Sequence, residues 1–309
     1  MKILDYLVNK SKFPKVESVE HEFKKIGILR IALGLFILVR FFEITNSLYF
    51  FEGAVPLVAL VTLFLIILFL VGFSLPIVTL GLIVSVRLLD DYASTNTLGT
   101  TILIHVLLGM FLANGGRYYS IDAIVTKGKN SFSKLFQFQY SLIGSHSEAS
   151  LTKVYFFIFG LYGLISLGAL GYHIQDEYWV NALTIKSLLS NSYLSASYEG
   201  FRWFENTFPN LISLLSIVGV LGQSLFQFFM LLLVFSGWGV RFVKMWGMQF
   251  FVISLLTINL SYLPHIEILL WMMILYPIKK FKSQVSIIYD DHCNLCKQAM
   301  LFFKKYNFN

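Results

Sequence analysis

The run AVPLVALVTLFLIILFLVGF, residues 54–73, is twenty residues long and carries no ionisable side chain. A helix of about 20 such residues matches the hydrocarbon thickness of a bilayer. A surface helix of a soluble protein would instead interrupt its apolar stripe with charged positions. Over the whole chain 57% of residues are hydrophobic and 13% are charged, about half the ~25% charged fraction of a soluble domain. So little charge is not enough to clothe 309 residues in a water-facing surface, and most of that surface is expected to face lipid. Phe occurs 31 times, which suits lipid-facing helices and interfacial belts. The first partner is therefore the lipid bilayer, and no nucleic acid is expected.

Residues 1–25 read as an amphipathic N-terminal segment bearing Lys2, Lys10, Lys12, Lys15, Lys24 and Lys25. No small-residue cleavage site follows, so no secretory leader is expected. Apolar runs that suit membrane spans lie at 26–48, 54–73, 75–89, 98–114, 154–173, 211–237, 246–262 and 264–278. Together they make a bundle over residues 26–278. Tight turns are expected at Ser74-Leu75-Pro76 and at Leu263-Pro264, because the residue before proline avoids the helical region. Eight spans with the N-terminus inside put Lys127, Lys129 and Lys134 of loop 117–153 on the inner face. The Arg241/Lys244 loop and the tail with Lys279, Lys280 and Lys282 fall on the same side. The outer loop 174–210 sets Lys186 and Arg202 against Asp176, Glu177, Glu199 and Glu205. This sorting follows the positive-inside rule. The expected fold is an all-α polytopic membrane protein of about eight transmembrane helices, both termini cytoplasmic, with a short C-terminal βα fragment of thioredoxin-like type.

Several polar residues sit inside these spans. Arg40 and Glu43 are three apart, on one helical face, where they can neutralise each other. Arg30, the cluster Arg87, Asp90 and Asp91, His105, and the pair Gln223 and Gln227 join them. One reading makes them interhelical glue. The other makes Arg40, Glu43 and His105 the lining of an enclosed cavity for a small substrate or quinone-like molecule. His105 has no second ligand at metal spacing, so no metal site is expected. His265 and Glu267 read as interfacial. The outer loop is dense in aromatic residues, among them Tyr178, Trp179, Tyr193 and Trp203. It is expected to form interfacial helices, with helix-compatible spacing over 180–194, or else a lid.

The only two cysteines stand in Tyr289-Asp290-Asp291-His292-Cys293-Asn294-Leu295-Cys296. Residues 285–289 are β-branched and aromatic and read as a buried strand, and residues 297–306 have helical spacing. Cys293 would then sit at a helix N-terminus, where exposed N–H groups favour a thiolate. Cys296, one turn on, would resolve the mixed disulfide, and Asp290 would shape the turn or relay a proton. A zinc site would need a second ligand pair that the chain lacks. A thioredoxin-like sheet needs more strands than follow Cys296, so either the sequence is a fragment or a partner polypeptide is expected to complete the fold.

Residues 285–309, with Asp290, Cys293 and Cys296, resemble the opening of the DCC family of thiol–disulfide oxidoreductase-like domains, although Asp291 stands where that family usually has glycine. The membrane body resembles the HTTM family, shared by vitamin K-dependent γ-carboxylases and bacterial membrane proteins that include toxin-maturation factors. The carriers are Arg30-Ile31-Ala32-Leu33-Gly34, the stretch Gly116-Arg117-Tyr118-Tyr119-Ser120-Ile121-Asp122-Ala123, Val154-Tyr155-Phe156-Phe157 and Trp179-Val180-Asn181-Ala182. The carboxylases carry a catalytic lysine shortly after the matching Tyr-Phe pair. Residues 158–165 hold no lysine, histidine or carboxylate, so carboxylation is not expected. The resemblances imply a bacterial inner-membrane protein with a cytoplasmic thiol–disulfide oxidoreductase-like pair and an unidentified redox partner. The alternative is a non-enzymatic HTTM-type helper in peptide maturation or lipid-cofactor binding, its dithiol vestigial. No bound cofactor is implied.

Overall fold

The computed structural model describes residues 2–48, 55–92, 98–144, 146–259 and 262–279. The chain divides into two compact units, Met1–Ile278 and Lys279–Asn309. Asp290, Cys293, Cys296 and the expected βα fragment lie outside the described residues.

Within the first unit the helices are α1 Lys2–Lys10, α2 Val19–Leu48, α3 Val55–Val71, α4 Leu75–Tyr92, α5 Leu98–Leu112, α6 Ile121–Val125 and α7 Ser131–Ile143. They continue as α8 Glu148–His173, α9 Glu177–Val180, α10 Thr184–Leu189, α11 Tyr198–Thr207, α12 Pro209–Leu233, α13 Gly237–Thr257 and α14 Leu263–Leu275. Among the described residues the only β pairing is an isolated bridge between Ser195 and Ile258.

Three helices, α8, α12 and α13, are long and apolar enough to cross a membrane, with mean hydropathies of 1.9, 1.8 and 1.2. Pro56–Val71, Gly99–Leu112 and Leu263–Leu275 are shorter apolar helices. Only 39%, 33% and 33% of the residues in the three long windows are buried by the rest of the chain. Helix α12 buries Ile212, Val220, Phe226 and Met230, yet polar side chains share that inward face and leucines fill the outward one. Ser216, Gln223 and Gln227 face inward, whereas Leu214, Leu221, Leu225 and Leu232 point outward. An apolar exterior over a polar seam is what a lipid solvent selects, since lipid tails give leucine no reason to hide.

Backbone and side-chain hydrogen bonds group the helix termini at two ends. At one end Lys12 N donates to Val234 O after α12 at 2.7 Å, and Val16 N donates to Thr152 Oγ1 in α8 at 3.0 Å. Lys25 Nζ reaches the carbonyls of Met273 and Tyr276, where α14 finishes, both at 3.1 Å. At the other end Thr100 meets the Tyr262 hydroxyl at 3.0 Å, and Ala196 N donates to Thr257 O at 3.0 Å. The first end gathers Lys12, Lys15, Lys24, Lys25, Arg117, Lys127, Lys129, Lys134, Lys153, Arg241 and Lys244, against fewer acids, Asp5, Glu17, Glu20, Glu22, Asp122 and Glu148. The second holds Asp90, Asp91, Asp176, Glu177, Glu199 and Glu205 against Arg87, Lys186 and Arg202.

Helix boundaries move from the expected ones for local reasons. Helix α2 extends upstream of the apolar run to Val19, and Lys24–Glu20 at 2.7 Å and Lys25–Glu22 at 2.6 Å link residues of its first turns. The expected Arg241/Lys244 loop is helical instead. Ser236 caps α13, its Oγ accepting from Gly239 N at 2.9 Å, and long basic side chains at a helix end can reach toward water. The 180–194 stretch is broken rather than continuous, since Ala182 adopts a φ of 55° and its carbonyl accepts from the Ser216 hydroxyl.

Helices α13 and α14 approach through Gly247, which lies against the indole of Trp271. Trp271 is fully buried, with the rings of Phe159, Tyr162, Phe226 and Phe251 around it. A Cβ on Gly247 would sit 2.5 Å from Trp271 Nε1. Gly247→Ala is therefore expected to cost ~1–3 kcal/mol, the range for overpacking a filled site. Gly160→Ala on α8, where a Cβ meets nothing within 4 Å, is expected to be neutral or to stabilise by up to ~1 kcal/mol. Thermal unfolding of both variants in detergent checks the contrast, and equal midpoints would remove this packing account.

Candidate functional site

Helix α3 finishes at Val71 and α4 starts at Leu75, so the chain reverses within three residues. A helix C-terminus leaves carbonyls without partners and an N-terminus leaves N–H groups, and low-dielectric surroundings make both costly. Here each set is met by a buried charged side chain. Arg30, fully buried in α2, donates from Nη1 to the carbonyls of Phe69 at 2.5 Å and Leu70 at 2.8 Å, and from Nη2 to Tyr119 O at 2.5 Å. Asp122 in α6, also fully buried, accepts from Ser74 N at 2.6 Å, Leu75 N at 2.8 Å and the Tyr140 hydroxyl. Asp122 N in turn donates to Gly72 O at 3.0 Å. A cation thus stands at the C-terminus of α3 and an anion at the N-terminus of α4, each the sign the helix dipole favours.

The turn tolerates nothing larger than glycine at its first position. Gly72 has φ 68°, and a Cβ there would strike Ser120 Cβ and come within 2.8 Å of Arg30 Nη1. Ser120 caps α6, its Oγ accepting from Ala123 N at 3.0 Å, and Ser74 Oγ donates to Gln139 Oε1 at 2.9 Å. Burial raises the Asp122 carboxyl above its ordinary 3.8, opposed by the Tyr140 hydroxyl, the two amides and the Arg30 charge. Burial, and then the Asp122 charge, push the Tyr140 hydroxyl far above 10.0. Tyr140 therefore keeps its proton and acts as the donor.

Beside this clamp opens a cavity of about 1310 Å³, with Arg117, Tyr118, Tyr119, Lys127, Tyr140 and His146 among its walls. Burial, and then the neighbouring Arg117 charge, lower the His146 imidazole from its usual 6.5, so it is largely neutral at pH 7.

The expected site residues fall elsewhere. The Arg40 guanidinium stacks on the Tyr262 ring and lines a small cavity with Asp90. The Glu43 side chain lies outside the described residues. His105 Nδ1 is 2.6 Å from Thr101 O of its own helix, a local contact. Arg40 and Asp90 are thus brought together, and His105 does not line their cavity. Glu267 is corrected from interfacial to buried: it is 6% exposed and accepts from the Tyr162 hydroxyl at 2.9 Å. Its neighbour His265 stacks on Phe36 with ring centroids 5.0 Å apart. Among the described residues no group of three His, Cys, Asp or Glu side chains is placed to hold a metal ion.

Sequence reasoning passed over Asp122 and Tyr140 as site residues. The available signal was that Asp122 is the single carboxylate between Asp91 and Glu148. Asp122→Asn puts an amide where a carboxylate oxygen accepts hydrogen bonds, and is expected to cost ~1–3 kcal/mol. Glu20→Gln, at an exposed pair, is expected to leave the thermal midpoint unchanged. A midpoint for Asp122→Asn equal to wild type would refute the clamp. No family model matches this chain, and neither does any curated protein or solved structure.

Proposed function

We propose that this chain is a bacterial inner-membrane protein of eight spans and HTTM type, with its lysine-rich end in the cytoplasm, and that it carries a thiol–disulfide exchange pair at Cys293 and Cys296. The observation that carries the reading is the charge sorting of the two ends, because the chain leaves α14 at the lysine-rich one.

The exchange runs in two steps. The Cys293 thiolate attacks one sulfur of a partner disulfide, forming a mixed disulfide and releasing a partner thiolate. Cys296, deprotonated, then attacks Cys293 Sγ and frees the second partner thiolate. The partner gains two electrons and Cys293–Cys296 becomes the disulfide; run backwards, the same steps oxidise a partner dithiol. Asp290, three residues before Cys293, is assigned the turn or the proton.

A second reading, the non-enzymatic helper, is favoured by one observation. The buried Arg30, Asp122 and Glu22 side chains are all engaged at helix ends, as structural groups would be.

The pair is tested in intact membranes. In inverted vesicles an impermeant maleimide is expected to reach both thiols, and in spheroplasts neither. At pH 6 Cys293 is expected to alkylate about tenfold faster than Cys296, because a depressed thiol pKa keeps more thiolate. Cys296→Ser should accumulate mixed disulfides. Labelling from the outer face, or equal rates for both thiols, would rule the exchange reading out and leave the helper.

A further inference from the structure

The cavity beside the Arg30–Asp122 clamp is not used by either reading above. It is walled by α6, α7 and the residues before them, with Phe23 of α2 and Val71 of α3 closing its apolar side. Two exposed cations, Arg117 and Lys127, face it, and neither makes an ion pair among the described residues. The carboxylate nearest in sequence, Asp122, is turned away to the N-terminus of α4 and fully buried there. Arg117 stands 5.2 Å from the centroid of the Tyr140 ring, which holds its guanidinium over the cavity wall. His146 Nε2 is buried and has no hydrogen-bond partner, so the cavity offers an imidazole as well as positive charge.

The rim identifies the source of the anion. Helices α6 and α7 turn Ile124, Leu135, Phe138 and Leu142 outward, exposed by 74%, 55%, 60% and 72%. The opposite face of α7 packs Phe136, Gln139 and Tyr140 inward. Lys127, Lys129 and Lys134 complete an amphipathic, basic segment, the pattern of an element lying at the level of lipid headgroups. A soluble anion would give such an apolar rim nothing to touch, whereas a lipid presents phosphate and acyl chain together.

We infer that this cavity seats the phosphate headgroup of an anionic phospholipid, held by Arg117 and Lys127, with its acyl chains lying against the outward apolar face of α6 and α7. The inference does not depend on the dithiol.

The test uses the whole protein in a neutral maltoside detergent. Thermal midpoints are read with added phosphatidylglycerol, phosphatidylcholine or inorganic phosphate, and bound lipid is counted by native mass spectrometry. Phosphatidylglycerol is expected to raise the midpoint and stay bound, while the other two do neither. The double variant Arg117→Gln/Lys127→Gln should bind phosphatidylglycerol at least about tenfold more weakly. Its midpoint without lipid should equal that of wild type, both side chains being exposed. Lys129→Gln/Lys134→Gln removes the same charge from residues that do not line the cavity, and should weaken binding far less than the cavity pair does. If the first double variant misfolds, Lys127→Gln alone is measured, with weaker binding expected. Equal response to phosphatidylcholine overturns the anionic headgroup. A shift from inorganic phosphate alone overturns the lipid. Equal loss in the two double variants, or unchanged binding by the cavity variants, overturns the cavity as the place.

Discussion

In a medium that cannot hydrogen-bond, the end of a helix is its weak point, and the Arg30–Asp122 arrangement is how this bundle meets that constraint. The three-residue reversal between α3 and α4 offers its own polar groups few local partners. One guanidinium and one carboxylate supply them from two other parts of the chain. Burying either charge alone would be costly, and such charges persist only where their hydrogen bonds are nearly all filled. Here the carboxylate accepts from two amides and a phenol, and the guanidinium donates to three carbonyls, leaving its buried Nε without a partner. The same bonds tie α6 to the turn, and α6 leads into α7. The cavity wall therefore inherits its position from the helix ends it serves.

The device recurs at the same end of the bundle. Glu22 accepts from the Tyr155 hydroxyl at 2.8 Å and from Ile278 N at 2.5 Å, while Lys25, paired with it, caps the carbonyls of Met273 and Tyr276. In both places a side chain of α2 meets the end of another helix, and a tyrosine donates to the acid. Groups committed in this way are poor candidates for chemistry, since a base that moves a proton needs an uncommitted lone pair.

The apolar helical character was legible in the composition, and α8, α12 and α13 have the length and hydropathy to cross a membrane. The helix limits were less so. Helix α13 starts in a stretch that carries Arg241 and Lys244, and charge reads as loop until the Ser236 cap is seen. Arg40 and Glu43 could be paired on paper because their relation is local. Arg40's stacking on Tyr262 and the bond from Tyr162 to Glu267 join helices far apart in sequence, and no periodicity announces them. Glu267 was misplaced for that reason: its position beside a proline turn suggested a surface, and only its partner on α8 explains its burial. Asp122 stands in the 116–123 stretch with nothing local to mark its role, because the amides it holds, at the start of α4, lie 48 and 47 residues earlier.

The clamp also sets the electrical sign of the cavity. Between Asp91 and Glu148 the chain has one carboxylate, and the N-terminus of α4 holds it. Were Asp122 free to turn outward it would be the natural partner for Arg117, and the wall would carry little net charge. Because it is drawn inward, residues 117–134 present Arg117, Lys127, Lys129 and Lys134 with no acid among them to answer. An uncompensated cluster of this kind attracts anions over roughly a Debye length, about 8 Å at physiological salt. That reach is too short to draw in distant solutes, but it suits a headgroup already present in the leaflet. A requirement of helix termination thus fixes the charge of the surface beside it.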